Sequence, residues 1–453
     1  MTQLAEHKDT HWSHYRRAFE RSENGSADFV GAIRKAGIEQ FDAVGFPTTA
    51  EEEWRLTSLQ AIARQPFALA EVDYGPEAAA LARQYSLGAD AAVELVIVNG
   101  NFAPQLSRMS RLPRGVVAGG LAAHLAPDRQ AIEKSLGNYA KIEDNPFIAL
   151  NAGFLRDGAY VSIPAGIEVE RPIHLLFVCT ANDAVAHPRT LVTLGENSRG
   201  TIVESYVGGS AKYWTNAVTE ILVRDSAVLD HCKLQQESKL AFHIATMAVN
   251  LGRGAAFVSH SATLGGLLTR NNLNVVMGAP RAEATLNGLV IIGGRQHADN
   301  HTLLDHAEPD CASHELYKHV LSDSAVGVFK GKILVRRPAQ KTDSKQTSKS
   351  LLLSDQATMN SQPALEIYAD DVKCTHGSTT GPVDEEMVFY LRSRGVDLEA
   401  SRHLLSYAFA ADITRRIRVA AVRERLEDFL SAQHGLPRDL RITDLGAYDE
   451  KAR

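Results

Sequence analysis

The feature that most constrains this chain is a short unit that recurs through its middle. Aligned on their turns, Leu194-Gly-Glu-Asn-Ser-Arg-Gly-Thr-Ile-Val203-Glu-Ser205, Val223-Arg-Asp-Ser-Ala-Val-Leu229-Asp-His231 and Leu251-Gly-Arg-Gly-Ala-Ala-Phe-Val258-Ser-His260 share one pattern. It is an apolar residue, a polar turn, a second apolar residue and two small or polar positions. The pattern continues through Met277 to Gly288, Leu321 to Gly331 and Ala369 to His376. Its last positions, Ser205, His231, His260, Gly288, Gly331 and His376, stand 26, 29, 28, 43 and 45 residues apart. A step of 26 to 29 residues, built from strands and Gly or Asp turns without helices between them, matches a solenoid whose coils stack on one another. The fold expected is mainly β, a right-handed parallel β-helix with those six positions equivalent in successive coils. The two longer steps hold either inserted loops or an extra coil. Paired glycines at 208–209, 265–266 and 293–294 suit tight corners.

Both flanks read as helical. Trp12, Tyr15 and Phe19 recur at spacings of three and four, the stripe of an amphipathic helix within residues 10–40. Thr49 followed by Glu51, Glu52 and Glu53 predicts a capped first turn, and Val93 to Val98 reads as a short apolar strand before Asn99-Gly100. After the repeat, Pro382-Val-Asp-Glu-Glu-Met-Val-Phe-Tyr-Leu-Arg-Ser-Arg-Gly395 has a helix's start and stop signals. Asp397 caps a second helix on which Leu405, Phe409, Ile413 and Ile417 recur every four residues, with Arg415, Arg416, Arg418, Arg423 and Arg425 on other sectors. Three regions follow: a mixed, mainly helical 1–144, a β-helix over 145–380 and a helical 381–453.

Composition narrows the function classes. A net charge of -6 supplies no broad basic field, so nucleic acid is not an expected partner. No run of 18 uncharged apolar residues is present and the start lacks an apolar signal core, so neither membrane nor export is expected and a cytoplasmic protein is. The four cysteines, Cys179, Cys232, Cys311 and Cys374, form no CxxC pair, which argues against a zinc ribbon, a disulfide framework or a stably held cluster.

Catalytic motifs are missing. Gly327-Val-Phe-Lys-Gly331-Lys332-Ile333 is one residue short of a phosphate-binding loop and lacks its hydroxyl residue, and neither GxSxG nor HExxH occurs. His297, His301, Asp305 and His306 have metal-ligand character but are expected to decorate coil corners, and Asp370-Asp371 reads as a turn. Cys374 and His376 differ in kind. They alternate along one strand, share a face, and stand where the repeat ends. The residues leave two readings open: an exposed imidazole and thiolate able to bind iron or sulfur, or a cysteine inside the coil beside a hydrogen-bonded histidine.

Residues 281–413 resemble the SufB/SufD family of iron-sulfur cluster assembly proteins. The likeness is carried by Asp299-Asn-His-Thr302, Tyr317-Lys318, Gly327 to Ile333, Ala339-Gln-Lys-Thr-Asp343, Leu351-Leu-Leu-Ser-Asp355, Pro363-Ala-Leu-Glu-Ile367, Asp370-Asp-Val-Lys-Cys-Thr-His-Gly377 and Phe389-Tyr-Leu-Arg-Ser-Arg-Gly395. Weaker matches at Phe46-Pro-Thr48, Trp54, Leu112 to Val116 and Asn145-Pro-Phe147 extend it over most of the chain. SufB-like members carry a scaffold cysteine shortly before the Leu-Leu segment, where this chain reads Gln346-Thr-Ser348-Lys-Ser350, and a glutamate after the histidine, where it has Gly377. The SufD branch is the better match.

The resemblance implies a non-catalytic subunit that pairs with a SufB-like sister through the β-helix and binds a SufC-like ABC-type ATPase through the C-terminal helices. The contact residues expected there are Phe389, Tyr390, Arg392, Leu405, Phe409 and Ile413. It implies a role in cluster assembly for His376, as a transient metal ligand, with Cys374 beside it at the subunit interface. It also allows a homodimer of the isolated chain. No cofactor is expected to be held tightly by this chain alone; the nascent Fe-S cluster and reduced flavin (FADH2) are implied at the level of the complex. The rival readings are a SufB-type scaffold that holds the cluster itself and a polysaccharide-acting β-helix enzyme.

Overall fold

The structure is a computed structural model, and it describes residues 12–22, 29–110 and 112–433. Two long parallel sheets run through it, joined strand by strand into a β-solenoid of about eight turns, with helices at both ends of the chain. Strands hold 39% of residues against 24% in helices, so the chain is mainly β. From Gly158–Ile163 onward the chain alternates between the sheets: Arg199–Gly208, Val228–Gln236, Ala256–Thr263, Glu283–Ile292, Ala312–Leu321, Asp343–Leu352 and Lys373–Gly381 lie in one, and Tyr213–Val223, Phe242–Leu251, Leu268–Met277, His297–His306 and Val326–Val335 in the other. Val93–Val98 pairs in parallel with Ile173–Cys179, so residues far ahead of the repeat start the first of these sheets.

The corners explain the period. Between the second sheet and the first, one residue per coil takes a left-handed backbone: Gly166, Asn197, Ser226, Gly254, Arg281, Asp310 and Lys341, with φ between 57° and 71°. Glycine, Asn and Asp tolerate that conformation best, and it turns the chain sharply enough to start the next strand. Each of these residues also donates its N–H to the corner of the following coil, as Asn197 does to Asp225 O (2.9 Å), Ser226 to Arg253 O (2.8 Å) and Asp310 to Gln340 O (2.9 Å). The corners therefore bond in a continuous line.

The solenoid stands, but the register expected from sequence does not. Successive coils place Ile202, His231, Ser259, Leu286, Glu315, Gln346 and His376 at one position, in steps of 27 to 31 residues. Of the six positions taken as equivalent, only His231 and His376 are. His260 lies one residue further along its strand, Gly288 two and Ser205 three, while Gly331 belongs to the opposite sheet. Each of the longer steps is a coil and a half rather than a coil with an insertion.

Alternation along the strands divides inside from outside. Leu229, Phe257 and Leu286 point into the lumen with Val249, Val275 and Ile333 from the other sheet. Cys232, Leu234, Ala262 and Leu289 point outward and are covered by the C-terminal helices. On the opposite outer face Trp214, Phe242 and Ile244 pack beneath Tyr15, Phe41 and Phe67 from the N-terminal region. Burying each such aromatic contributes about 1.5–3 kcal/mol. The stripe of Tyr15 and Phe19 lies on a helix, Ser13–Ser22, and a second, Phe29–Val44, follows. The capped turn expected after Thr49 is a single 3-10 turn, Glu52–Trp54.

Phe257→Ala, which empties a lumen position with no solvent exposure, should lower the unfolding free energy in a denaturant titration by about 3–5 kcal/mol. Arg281→Gly removes a side chain from a left-handed corner (φ 64°) and should stay within about 1 kcal/mol of wild type, because relief of strain and added backbone freedom offset one another.

Candidate functional site at the open end of the solenoid

The last strand, Lys373–Gly381, pairs on one side with Asp343–Leu352 and ends its sheet. Cys374 and His376 lie on its lumen side, in register with Ser344 and Gln346. His376 is exposed. Cys374 is half-buried and packs against the solenoid core, and its thiol is raised by that burial and then by Asp343. The other three cysteines are buried. Among the described residues no three His, Cys, Asp or Glu side chains are grouped to hold a metal ion.

Above these two residues the lumen changes character. The position occupied by Leu229, Phe257 and Ala284 in earlier coils becomes Ser313, Ser344 and finally Cys374. Ser313 Oγ bonds to Ser344 Oγ (2.7 Å) and to His306 Nε2 (2.9 Å). In the next column Gln346 Nε2 donates to Glu315 Oε2 (2.7 Å). Burial pushes the Glu315 carboxyl up to about 7, against the hydrogen bond from Gln346 that pulls it down. Gly331 makes this pair sterically feasible, since a Cβ there would lie 2.2 Å from Gln346 Nε2. Sequence reasoning missed Glu315; the signal available was its spacing of 31 and 61 residues from Gln346 and His376.

The C-terminal residues are placed differently from expectation. The helix Leu398–Thr414 turns its buried side to the chain's own solenoid: Ile413 is 1% exposed and packs with Cys232, Leu234 and Ala262. Phe409 is half-buried beneath the Lys318 ammonium, 4.5 Å from its ring, and Lys318 also pairs with Asp412 (2.7 Å). Leu405 packs near Leu351, Val383 and Val388. The stripe is real, but it covers the outer face of a sheet, so Leu405, Phe409 and Ile413 are not a free docking surface. Phe389, Tyr390 and Arg392, on the preceding helix Glu385–Ser393, are exposed. That helix is capped by Asp384, whose Oδ1 accepts from Glu386 N, and the chain leaves it at Gly395 (φ 89°). Of the basic residues, Arg415, Arg416 and Arg418 lie in the connection that follows this helix and Arg423 and Arg425 on the next one, Ala420–Gln433; Arg425 donates to Tyr85 O (2.8 Å), back in the N-terminal region.

The histidine-rich strand His297–His306 serves the N-terminal contact. Arg270 lies 3.9 Å over the Trp54 ring, donates to Glu53 O (2.6 Å) and pairs with Asp299 (2.8 Å), which also accepts from Thr57. Burial opposes ionisation of Asp299, but the charges of Arg270 and His301 and the hydrogen bonds outweigh it and lower its carboxyl. His297 bonds to Thr57, His301 to Asp299, Asp305 to Arg336 and His306 to Ser313, so the four do not converge.

Comparison with known proteins places this geometry. Residues 177–409 match the model of the SufBD core domain, of the SUF system for FeS cluster assembly, and residues 5–175 match the SufBD N-terminal region. The chain belongs to the SufBD family. It is 33% identical to an iron-sulfur cluster assembly SufBD family protein of Synechocystis, over 90% of each chain. It is 31% identical to the iron-sulfur cluster assembly protein SufD of Escherichia coli, over 86% of this chain and 89% of that one. A chloroplastic protein of Arabidopsis thaliana, ABCI7, is 32% identical over 73% and 71%. The chain is thus a SufBD iron-sulfur cluster assembly protein, and among the described residues no helix is long and apolar enough to cross a membrane.

Two measurements check this site. A thiol reagent should modify one of the four cysteines rapidly in the native protein, and Cys374→Ser should abolish that phase, because the remaining thiols are buried. Glu315→Gln should alter stability only at higher pH. A carboxyl raised from 4.5 to about 7 on folding favours the fold fully below the lower value and loses that contribution as pH rises through the upper one. Above pH 7 the variant should therefore gain about 3 kcal/mol relative to its difference from wild type at pH 4.

Proposed function

We propose that this chain is a non-catalytic subunit of a Suf assembly complex, joined to a SufB-like sister at the open end of its solenoid and to a SufC-like ATPase at its C-terminal helices. The observation that carries this reading is the exposed edge of the last coil. A strand with one unpaired side invites a second chain, and His376 stands on it. Apolar side chains gather at the same end: Ile367 and Tyr368 follow from the last strands of the opposite sheet, and Met387, Phe389, Tyr390 and Leu398 stand out from the helices beyond, all at least 40% exposed. Most of the large exposed apolar residues among those described lie here, which marks an interaction surface.

In this reading the nascent Fe-S cluster is cargo formed between subunits. His376 acts as an imidazole ligand or proton donor, Cys374 supports it, and the remaining ligands come from the sister subunit. Reduced flavin belongs to the assembled complex and no residue of this chain is assigned to it. The ATPase contact falls on Phe389, Tyr390 and Arg392, beside a groove of about 940 Å³ lined by Leu353, Val383, Leu398 and Arg402. The compartment in this reading is the cytoplasm, where free thiols such as these four stay reduced. A scaffold holding the cluster alone is disfavoured, because three of the four cysteines are buried. A polysaccharide-acting enzyme is disfavoured because Asp299 and Glu220, carboxylates facing out from the sheet, are buried in ion pairs with Arg270 and Arg189.

His376→Ala should leave folding and complex formation intact yet lower cluster yield severely, with Cys374→Ser milder; purified complexes of equal subunit content make the comparison. Wild-type yield from His376→Ala would reduce the residue to a structural one. Phe389→Ala with Tyr390→Ala should weaken ATPase capture by more than tenfold, as for truncated aromatic anchors of about 2 kcal/mol or more in total. Point substitutions are the right probe, since removing residues 383–453 would uncover the sheet face beneath Ile413.

A further inference from the structure

The last three coils hold a concentration of polar groups inside the lumen that packing alone does not account for. Glu315 and His319 on one strand, Gln346, Ser348 and Ser350 on the next, all face inward and are at least nine-tenths buried. Glu315 Oε1, Gln346 Oε1, Ser348 Oγ, Ser350 Oγ and both nitrogens of His319 have no hydrogen-bond partner among the described residues. One orphaned polar atom is tolerable, but six in two adjoining coils demand ordered water between them. One coil further on, Ser378 and Thr380 continue the same columns at the exposed edge, where Ser378 bonds to Ser361 (2.9 Å). Side chains of neighbouring coils do reach one another here, as Ser313 and Ser344 show at 2.7 Å.

We propose that the lumen of the last three coils is a hydrated proton path that connects the buried carboxyl of Glu315 to the open end of the solenoid, making Glu315 a proton reservoir for the chemistry carried out there. The proton leaves the Glu315 carboxyl through lumen water and the hydroxyls of Ser348 and Ser378, leaving a carboxylate. A proton returns from solvent through the same mouth. The reservoir role rests on the assembly function proposed above; the path does not.

The surroundings of Glu315 suit this role. Its own strand presents Tyr317 and His319, the next coil Gln346, and the opposite sheet Thr302, Phe329 and Gly331. Further up the lumen lie Lys233, His231 and Glu204, and down the column, at the edge, His376. Burial, rather than a neighbouring charge, is what raises the carboxyl to about 7, so near neutral pH acid and carboxylate are both populated and a proton passes readily to a modest base.

Infrared spectroscopy of the full-length chain tests the path. At a pH below 7 the wild type should show a carboxylic-acid C=O band that Glu315→Gln lacks. On mixing into D2O that band should shift to its deuterated position within the mixing time, while backbone amides of the same coils stay protected. Ser348→Val with Ser350→Val, which lines the path with methyl groups, should slow the shift by an order of magnitude or more. A missing band, exchange no faster than the amides, or exchange in the Val variant as fast as in wild type overturns the path. These readouts do not involve cluster formation, so they stand or fall apart from the role given to His376. The reservoir role is read in reconstituted complexes: Glu315→Gln should lose the part of the rate–pH profile that lies near 7, and an unchanged profile overturns that role.

Discussion

Everything in this molecule depends on parallel backbone pairing from coil to coil. A strand's N–H and C=O groups are satisfied only by the coils on either side of it, and the corners repeat the arrangement with one left-handed residue donating to the next coil. The stack is thus one cooperative object with two ends. At the start, Val93–Val98 with its short antiparallel partner Asn101–Phe102 continues the sheet. At the other end the outer side of the last strand has no pairing strand among the described residues. The proposal for where this chain meets its partners rests on that asymmetry.

A stacked pair of sheets also has two outer faces, and each is covered from a different end of the chain. The N-terminal region seals its face with aromatic rings and with a buried ion pair: Arg189 and Glu220 meet at 2.5 Å, and Glu220 also accepts from the backbone N–H groups of Gly137, Tyr139 and Ala140. Desolvating such a pair offsets much of its attraction, so its value lies in fixing where the segment sits. The C-terminal helices seal the other face with aliphatic contacts around Ile413 and Leu426. Covering both faces is what leaves the final edge as the principal open surface of the solenoid.

These constraints were unequally visible in the amino acids. The period was legible because corners demand Gly, Asn, Asp or Ser at regular intervals. The phase was not, because several residue types recur at neighbouring positions: His231 and His260 look alike on paper, yet one faces the lumen and the other the covering helices. Gly331 misled for a related reason, as the two sheets have the same alternation half a coil apart. The helical stripe through Phe409 and Ile413 was read correctly as apolar, but periodicity cannot say which surface an apolar stripe meets. Glu315 was invisible because alternation leads one to expect apolar residues inside, whereas this lumen also takes in Glu204, His231 and Lys233 in earlier coils.

The composition of the unpaired strand carries one more consequence. Lys-Cys-Thr-His-Gly-Ser-Thr-Thr-Gly has no large apolar residue, so its edge offers hydrogen bonds with little hydrophobic drive, and a stray β-strand gains little by adhering to it. Lasting attachment requires a newcomer that also meets Ile367 and Tyr368 nearby. A newly made copy can therefore wait in the crowded cell with little tendency to seed aggregates, and the quality of the match, rather than mere availability of an edge, decides which encounter lasts.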